Sequence, residues 1–266
     1  MWKDEARAAV ILVLSYMLRR SLFRALLVCA FAVNLLYGQL TSPEAFFGFK
    51  PGADYKLATY DEIYAYFQKL DGESDRIRMA EIGKSSEGRP VALAYISSPA
   101  NLAKLEAIRA NQKRMALGEV DEAEARAIAA SAPAVVWIDT AMHSTETMPG
   151  QVTPLLAYEL ASGNSREITS ILDHVVLLLV PTMNPDGMQH VNEWYRRNVG
   201  TEYELAPFPG LYQRYAGHDN NRDWYMLNLQ ETRNAARVLF EEWFPHIVYN
   251  QHQSPPLSLI HISEPT

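Results

Sequence analysis

Three apolar segments in the second half of the chain have the pattern of buried β-strands. APAVVWIDTAMH runs directly into His143, DHVVLLLVPTMNPDG contains an unbroken aliphatic run, and the shorter HIVYNQHQ contains His252. Short continuous apolar runs bounded by turn residues are typical of strands that are buried on both faces. Each segment ends in polar residues, so the pattern also predicts a polar edge of the sheet.

Amphipathic segments alternate with these strands and predict helices. TYDEIYAYFQKLDGES begins with a Thr-x-x-Glu capping box, and residues 101–131 are rich in Ala, Leu, Lys and Glu. We also predict helices over GQVTPLLAYELASG and over NLQETRNAARVLFEEWF. IRMAEIGKSSEGRPVALAYISS predicts two strands joined by a turn. This alternation predicts an α/β fold with helices on both faces of a central sheet.

Composition limits the number of domains and the classes of partner. The chain has 266 residues, of which 48% are hydrophobic, enough for one sizeable domain or at most two small ones. Its formal net charge is −7, and no basic run occurs outside the N-terminus. Because nucleic-acid binding needs clustered Lys and Arg, we expect no nucleic-acid partner.

Residues 1–39 have the order of a secretory signal, preceded by a short extension. Arg19, Arg20 and Arg24 precede an apolar stretch that ends near Gly38. We therefore expect export to a secreted or periplasmic location and no stable membrane association after cleavage. An N-terminal membrane anchor is the alternative, although the apolar stretch is short for a span. The chain's one cysteine lies in this segment, so a metal in the mature protein would be held by His, Asp or Glu.

Polar residues follow the three predicted strands at the point where each ends. They are His143, Asn184 and His252, and Glu146 lies three residues after the first of them. In α/β sheets ligands bind at strand ends, and two histidines with one carboxylate are a known ligand set of catalytic zinc. His143 and Glu146 alone are equally compatible with a polar surface loop, or with a carboxylate that supports a helix N-terminus.

Two further segments contain candidate anion-binding residues. GHDNNRDW places Asp219, Asn221 and Arg222 close together in what we predict to be a non-helical turn. The alternative is an Asx-rich loop with a surface arginine. NEWYRRN offers Arg196 and Arg197, which could equally be a solvated basic pair.

The motifs HSTE, NPDG, DNNRDW and NQHQ, in that order, resemble the zinc carboxypeptidases, the M14 metallopeptidases. EIGKSSEGRP is also similar to an early strand–turn–strand of that family. The resemblance covers about residues 45–254. It implies a mixed, mainly parallel central sheet flanked by helices, incomplete at its C-terminal end.

The resemblance also implies roles for individual residues. His143, Glu146 and His252 match the ligands of Zn²⁺, and Asn221 and Arg222 match the pair that binds a substrate's terminal carboxylate. The implied reaction is hydrolysis of C-terminal residues from peptides with a free C-terminus, by zinc-activated water.

Two more residues match supporting positions of the family. Asp219 matches the acid that orients the first zinc histidine. Arg197 matches the arginine that polarises the scissile carbonyl, with Arg196 as the alternative because the spacing in WYRRN does not decide between them.

The sequence departs from the family after the third ligand. The family's general-base glutamate and mobile tyrosine lie several tens of residues beyond the position of His252, and only fourteen residues follow it here. Glu264 is too near to replace that glutamate. We therefore expect residues 40–256 to form part of a catalytic domain, LSLIHISEPT (residues 257–266) to be foreign to it, and the chain as given to be inactive.

Three other functions remain open at the level of sequence. Related zinc enzymes hydrolyse N-acyl amino acids or peptidoglycan stem peptides with the same His-x-x-Glu arrangement. A non-catalytic, peptide-binding protein would keep the binding residues and lack the base. Tests on peptide, acyl-amino-acid and muropeptide substrates would separate these functions.

Overall fold

The computed structural model describes residues 40–253, which form a five-stranded sheet with helices packed on both faces. The strands are Ile77–Lys84 (β1), Pro90–Ile96 (β2), Ala134–Thr140 (β3), Val175–Val180 (β4) and Ile247–Gln251 (β5). The α-helices are Pro43–Phe47 (α1), Tyr60–Glu73 (α2), Pro99–Leu102 (α3), Leu105–Ala116 (α4), Glu122–Ser131 (α5), Thr147–Ser162 (α6), Arg166–His174 (α7), Pro185–Asn198 (α8) and Gln230–Arg237 (α9). The predicted signal segment lies outside the described residues.

The sheet is mixed, as predicted, and most of its strands run the same way. The strand order is β1-β2-β4-β3-β5, with antiparallel pairing at β1–β2 and β2–β4 and parallel pairing at β4–β3 and β3–β5. Of the five described strands, β2 therefore runs against the other four. The C-terminal ends of β3, β4 and β5 consequently lie at one edge, where the polar residues that follow them can meet.

Strand β4 lies at the centre of the sheet, and this position explains why its sequence does not alternate apolar and polar residues. Leu177 and Leu179 pack on one face of the sheet, against α2 and α6. Val176, Leu178 and Val180 pack on the other face, against α4 and α9. Both faces are covered, so both sets of side chains are apolar, and each fully buried aliphatic side chain contributes about 1.5–3 kcal/mol.

Helix boundaries follow local capping chemistry. The side chain of Thr59 accepts from the backbone N–H of Glu62, and the Glu62 carboxylate accepts from the backbone N–H of Thr59, which completes the predicted capping box of α2. The NPDG motif begins α8, because the Asn184 side chain accepts from the backbone N–H of Gly187 and Pro185 occupies the first turn.

Two segments differ from their predicted conformations. Residues 217–225, predicted as a non-helical turn, form a 3₁₀ helix, Gly217–Tyr225. The Asp223 carboxylate accepts two backbone N–H groups just beyond it and so fixes its C-terminal end. The segment NLQETRNAARVLFEEWF, predicted as one helix, divides into α9 and a following π-helical turn, Val238–Trp243. Phe244 ends this turn in a left-handed conformation.

The strand β5 lies at the edge of the described sheet and is poorly covered. Ile247, Val248 and Tyr249 are all more than half exposed, whereas the other neighbours of β3, in β4, are buried. In the described part of the chain, no helix has the length and hydrophobicity needed to cross a bilayer.

Candidate metal centre

The candidate ligands lie at the shared C-terminal edge of β3 and β5. His143 follows β3, Glu146 immediately precedes α6, and His252 follows β5. Because β3 and β5 are parallel neighbours, with Thr140 paired to Gln251, the residues that follow them emerge side by side. One ligand atom from each of the three residues lies within 4.8 Å of the others. Residues 109 positions apart in sequence are thus brought into one cluster by the sheet register.

The Glu146 carboxylate connects the two histidines. Its Oε1 lies 2.9 Å from Nδ1 of His143, and its Oε2 lies 3.0 Å from Nδ1 of His252. The backbone N–H of Gln253 also donates to Oε2, at 2.7 Å. The carboxylate is therefore held from three sides, and both histidines present Nδ1 to it.

Burial and charge set the protonation of this group. Burial lowers the pKa of His143 and outweighs Glu146, which raises it. Burial would raise the pKa of Glu146, but the backbone N–H of Gln253 and the two histidines outweigh it, so the pKa lies below its ordinary value. A neutral imidazole and an ionised carboxylate are the forms that bind a metal ion.

The donor set fits a zinc ion. Bonds of about 2.0–2.2 Å from a tetrahedral centre place ligand atoms about 3.3–3.6 Å apart. The two contacts across Glu146, 2.9 and 3.0 Å, are slightly shorter, and the three ligand atoms lie within 4.8 Å of one another. The Nε2 atom of His143 is buried and has no hydrogen-bond partner among the described residues. With a metal ion on Nδ1, which otherwise faces the Glu146 carboxylate at 2.9 Å, this second nitrogen would carry the ring proton.

The connection between β3 and His143 is a tight buried turn. Ala141, the residue after β3, has a φ of 52°, in the left-handed region that costs a non-glycine residue about 1–2 kcal/mol. The Nδ2 atom of Asn220 donates to the carbonyl of Met142 at 2.6 Å. The turn directs His143 across the strand ends toward Glu146.

His218 also packs against the cluster, although its sequence gives no sign of this. Its ring is stacked on that of His143, with centroids 4.1 Å apart. No spacing rule links His218 to His143 in the sequence, so only the fold reveals this contact.

The residues matched to carboxylate binding lie on the 3₁₀ helix beside the cluster. Asn221 has its Nδ2 atom 3.3 Å from Nε2 of His252, and its Oδ1 accepts from the indole N–H of Trp224 at 3.2 Å. The side chain of Arg222 is exposed and makes no hydrogen bond or ion pair with another residue of 40–253. Asp219 is exposed as well, and within the same range it has no hydrogen bond to His143.

The two arginines of α8 have different surroundings. Arg196 donates to the carbonyl of Leu57 and to both carboxylate oxygens of Glu62. Arg197 is two-thirds exposed and makes one long ion pair, 3.8 Å, with Glu193. Among the described residues, neither arginine bonds to the candidate ligands.

A cavity of about 450 Å³ opens beside the cluster. Thr145, Thr147 and Met148, the neighbours of Glu146, form one side, and Trp194 and Phe208 form part of the other. The two aromatic rings meet edge to face at 6.0 Å. The cavity thus offers an apolar surface close to the candidate metal centre.

The zinc carboxypeptidase family model matches residues 63–243, which is more than half of the chain. The chain belongs to the zinc carboxypeptidase family. The match includes the β3–α6 connection that carries His143 and Glu146, the beginning of α8, and the 3₁₀ helix that carries Asn221 and Arg222. It confirms the family resemblance drawn from the short motifs.

Curated relatives of this zinc carboxypeptidase family member match parts of the chain. Carboxypeptidase 2 of Trichophyton rubrum is 27% identical over 118 residues, which are 44% of this chain and 18% of that protein. Metallocarboxypeptidase A of Trichophyton tonsurans is 27% identical over 172 residues, 62% of this chain and 32% of that protein. The chain thus matches less than a third of each relative's length.

Solved structures also match parts of the chain, each at low sequence identity. Thrombin activatable fibrinolysis inhibitor is 14% identical, with a TM-score of 0.49 over 82% of this chain and 50% of that one. A metallo-carboxypeptidase from Burkholderia cenocepacia is 19% identical, with a TM-score of 0.47 over 74% of this chain and 42% of that one.

Proposed function

We propose that this chain is part of a zinc-dependent metallocarboxypeptidase that removes C-terminal residues from peptides. His143, Glu146 and His252 would hold the metal. The observation that carries the proposal is their convergence at one sheet edge, with ligand atoms within 4.8 Å of one another. The family match supports zinc as the metal and peptides as the substrate class.

The chemistry depends on an open metal position. Bound zinc acts as a Lewis acid and lowers the pKa of a coordinated water to about 7. Two histidines and one carboxylate leave that position free, since they are three ligands of four. Gln253 would hold Glu146 in place through its backbone N–H, which donates to Oε2 at 2.7 Å.

Asn221 and Arg222 would bind the terminal carboxylate of the substrate. Support comes from the contact of Asn221 with His252 and from the exposed guanidinium of Arg222 on the same 3₁₀ helix. A guanidinium can bind a carboxylate through two parallel hydrogen bonds, which favours a chain end over a mid-chain peptide. Asp219, which the family resemblance matches to the acid that orients the first zinc histidine, makes no hydrogen bond to His143 among the described residues, so this structure gives it no orienting role.

Arg197 would stabilise the negative charge that develops on the scissile carbonyl. Its exposed position and single long ion pair leave it available, whereas Arg196 is engaged by Glu62 and Leu57. Exchange of each arginine for alanine would separate them. Loss of kcat for Arg196→Ala alone would assign the role to Arg196.

We also propose a domain organisation and a location. Residues 1–39 would direct export, residues 40–256 would contribute to the catalytic domain, and residues 257–266 would be foreign to it. The arginines followed by an apolar stretch support export. A fusion of residues 17–39 to a reporter enzyme would test it, and retention of the reporter in the cytoplasm would contradict it.

Among residues 40–253, Glu146 is the one carboxylate of the candidate metal cluster, and as a ligand it would not be available as a general base. We therefore propose that these residues bind zinc but hydrolyse peptides slowly. Loss of a general base typically lowers a rate by about 10²–10⁴-fold. Turnover equal to that of an active zinc carboxypeptidase would show that another residue of the chain acts as the base.

The decisive experiment is a zinc titration of the full chain with a competing chromophoric chelator. We expect one tight site, and at least a tenfold weaker one in His143→Ala, Glu146→Gln and His252→Ala. His174→Ala is the matched control, because His174 bonds to a carbonyl of its own helix. Equal affinity in all variants would refute the ligand set. Release of amino acids from peptides, acyl-amino acids and muropeptides would then identify the substrate class.

A further inference from the structure

A line of hydrogen bonds runs from the sheet interior to His252. The Nε2 atom of His252 lies 2.6 Å from Oδ1 of Asn250. The Nδ2 atom of Asn250 donates to Oδ1 of Asp139, and the indole N–H of Trp137 donates to Oδ2 of Asp139 at 2.6 Å. No spacing rule identifies these residues, since the line exists only because β3 and β5 are neighbours.

The sheet register fixes the first part of this line. Asp139 and Asn250 are directly paired on the parallel strands β3 and β5. Asp139 is 1% exposed, and burial raises its pKa to about 6, so it is ionised at neutral pH. An ionised carboxylate only accepts hydrogen bonds, so the amide of Asn250 must turn its NH₂ group toward Asp139.

The orientation of Asn250 decides which nitrogen of His252 carries a proton. With its NH₂ group toward Asp139, Asn250 presents its oxygen to His252, and an oxygen at 2.6 Å requires a proton on Nε2. Nδ1 is then the nitrogen that faces the Glu146 carboxylate, at 3.0 Å. A proton on Nδ1 is the one that a bound metal ion would displace, whereas the proton on Nε2 is held away from the cluster.

Asn221 does not compete for this proton. Its Nδ2 atom is a donor and lies 3.3 Å from Nε2, a longer and mismatched contact for a nitrogen that already carries a proton. Reversal of the Asn221 amide would break the bond that its oxygen accepts from Trp224. The oxygen of Asn250 is therefore the partner that selects the tautomer.

We propose that Asp139 and Asn250 are positioning residues that fix the tautomer and orientation of His252, so that Nδ1 is its metal-binding atom. This inference rests on the proposed zinc site. The polar partners of metal-binding histidines act in this way generally, and their loss typically weakens metal binding by about 10–100-fold. Here the partner would be an amide that is itself oriented by a buried carboxylate.

Asp139→Asn is the most specific test. An asparagine at 139 has one acceptor and one donor for two incoming N–H groups, so either Trp137 or Asn250 loses its acceptor. If the side-chain amide of Asn250 rotates by half a turn, its NH₂ group faces Nε2 of His252 and favours a proton on Nδ1. That proton would occupy the nitrogen that should bind the metal. We expect zinc affinity to fall by about 10–100-fold.

Asn250→Ala removes the acceptor itself and keeps the proposal testable if Asp139→Asn fails to fold. Asp186→Asn is the control for loss of a buried carboxylate, because Asp186 bonds to Ser85 and Arg89 rather than to the cluster. We expect that control to lose stability in urea and to keep its zinc affinity within about twofold. If Asp139 had a purely structural role, Asp139→Asn would also lose stability in urea and keep its zinc affinity within about twofold.

The tautomer is read directly by NMR of ¹⁵N-histidine-labelled full chain at pH 8, with the His252 signals assigned from His252→Ala. In zinc-loaded protein we expect the ring proton of His252 on Nε2. In metal-free protein the Glu146 carboxylate also accepts a proton from Nδ1, so there we expect the Nε2 proton population to be lower in Asp139→Asn than in wild type. An unchanged tautomer together with unchanged zinc affinity would overturn the proposal. If wild-type protein binds no zinc, the proposed function fails by itself, and the metal-free tautomer still decides whether Asp139 and Asn250 position His252.

Discussion

The imidazole rings of His143 and His218 are stacked, with centroids 4.1 Å apart and planes 21° apart. His143 is held at its Nδ1 edge by Glu146, so the stack limits rotation of the ring about its side-chain bonds. His218 thereby supports a candidate ligand through packing.

Replacement of His218 by alanine should weaken zinc binding modestly. Aromatic stacking contributes about 0.5–1.5 kcal/mol, which corresponds to a roughly 2–10-fold loss of affinity in His218→Ala. His218→Phe keeps a flat ring and should restore most of that affinity. Competition with a chromophoric chelator measures both. A loss well above tenfold that is equal in the two variants would indicate that His218 supplies a ligand atom.

Replacement of Arg222 should affect peptides with a free carboxylate selectively. Loss of a charge-assisted hydrogen bond costs about 1.5–3 kcal/mol, so Arg222→Ala should bind a fluorescent peptide with a free C-terminus about 10–100-fold more weakly. Binding of the same peptide as a C-terminal amide should change little. Fluorescence anisotropy with zinc-loaded chain measures both ligands, and Arg166→Ala on α7 is the control. Equal losses for the two peptides would refute a carboxylate-binding role.

The stability contribution of Asp223 should depend on pH. Burial opposes ionisation of Asp223, but Thr232 and the backbone N–H groups of Leu229 and Asn228 outweigh it and lower the pKa. A lowered folded pKa stabilises the protein above the unfolded value, about 3.9, and this stability is lost as pH falls through the folded value.

Asp223→Asn should therefore lower the free energy of unfolding by about 1–3 kcal/mol at pH 7. The difference from wild type should begin to shrink below about pH 4, where the unfolded carboxylate takes up a proton, and should vanish below the lowered folded pKa. Urea unfolding at pH 7 and pH 3.5 measures this, with the exposed Asp173→Asn as control. A constant difference at both values would show that charge on Asp223 has no role.

The exposed edge strand β5 should cause self-association. Apolar residues on an unpaired sheet edge favour pairing with a second chain. Val248→Lys should reduce the proportion of high-mass species at a given concentration, because a charge on the edge opposes that pairing. Light scattering after size-exclusion chromatography measures it. Leu117→Lys changes an equally exposed apolar residue away from the sheet and should have little effect.

Much of the candidate site follows from local sequence signals. The apolar runs that become β3 and β4 predict where His143 and Asn184 emerge, because strand ends carry ligands in α/β sheets. HSTE and NQHQ add the residue types that a metal needs. These signals involve residues close together in sequence, so they can be recognised without knowledge of the strand order.

The remaining contacts depend on which strands are neighbours and in what register. Asp139 reads as an isolated polar residue in an apolar strand until β5 is placed beside β3 with Asn250 opposite it. The stack of His218 on His143 depends on the path of the chain from α8 to the 3₁₀ helix. The helical form of residues 217–225 depends in part on Asp223, whose partners include Thr232, nine residues away.

X-ray absorption at the zinc edge tests the central claim most directly, because it reports the ligands of the bound ion itself. For the full chain loaded with one equivalent of zinc, we expect nitrogen and oxygen ligands at about 2.0–2.2 Å and the multiple scattering of two imidazoles. His252→Ala should show one imidazole. A spectrum of wild-type protein with fewer than two imidazoles, or one that His252→Ala leaves unchanged, would contradict the assignment of His143, Glu146 and His252 as the zinc ligands.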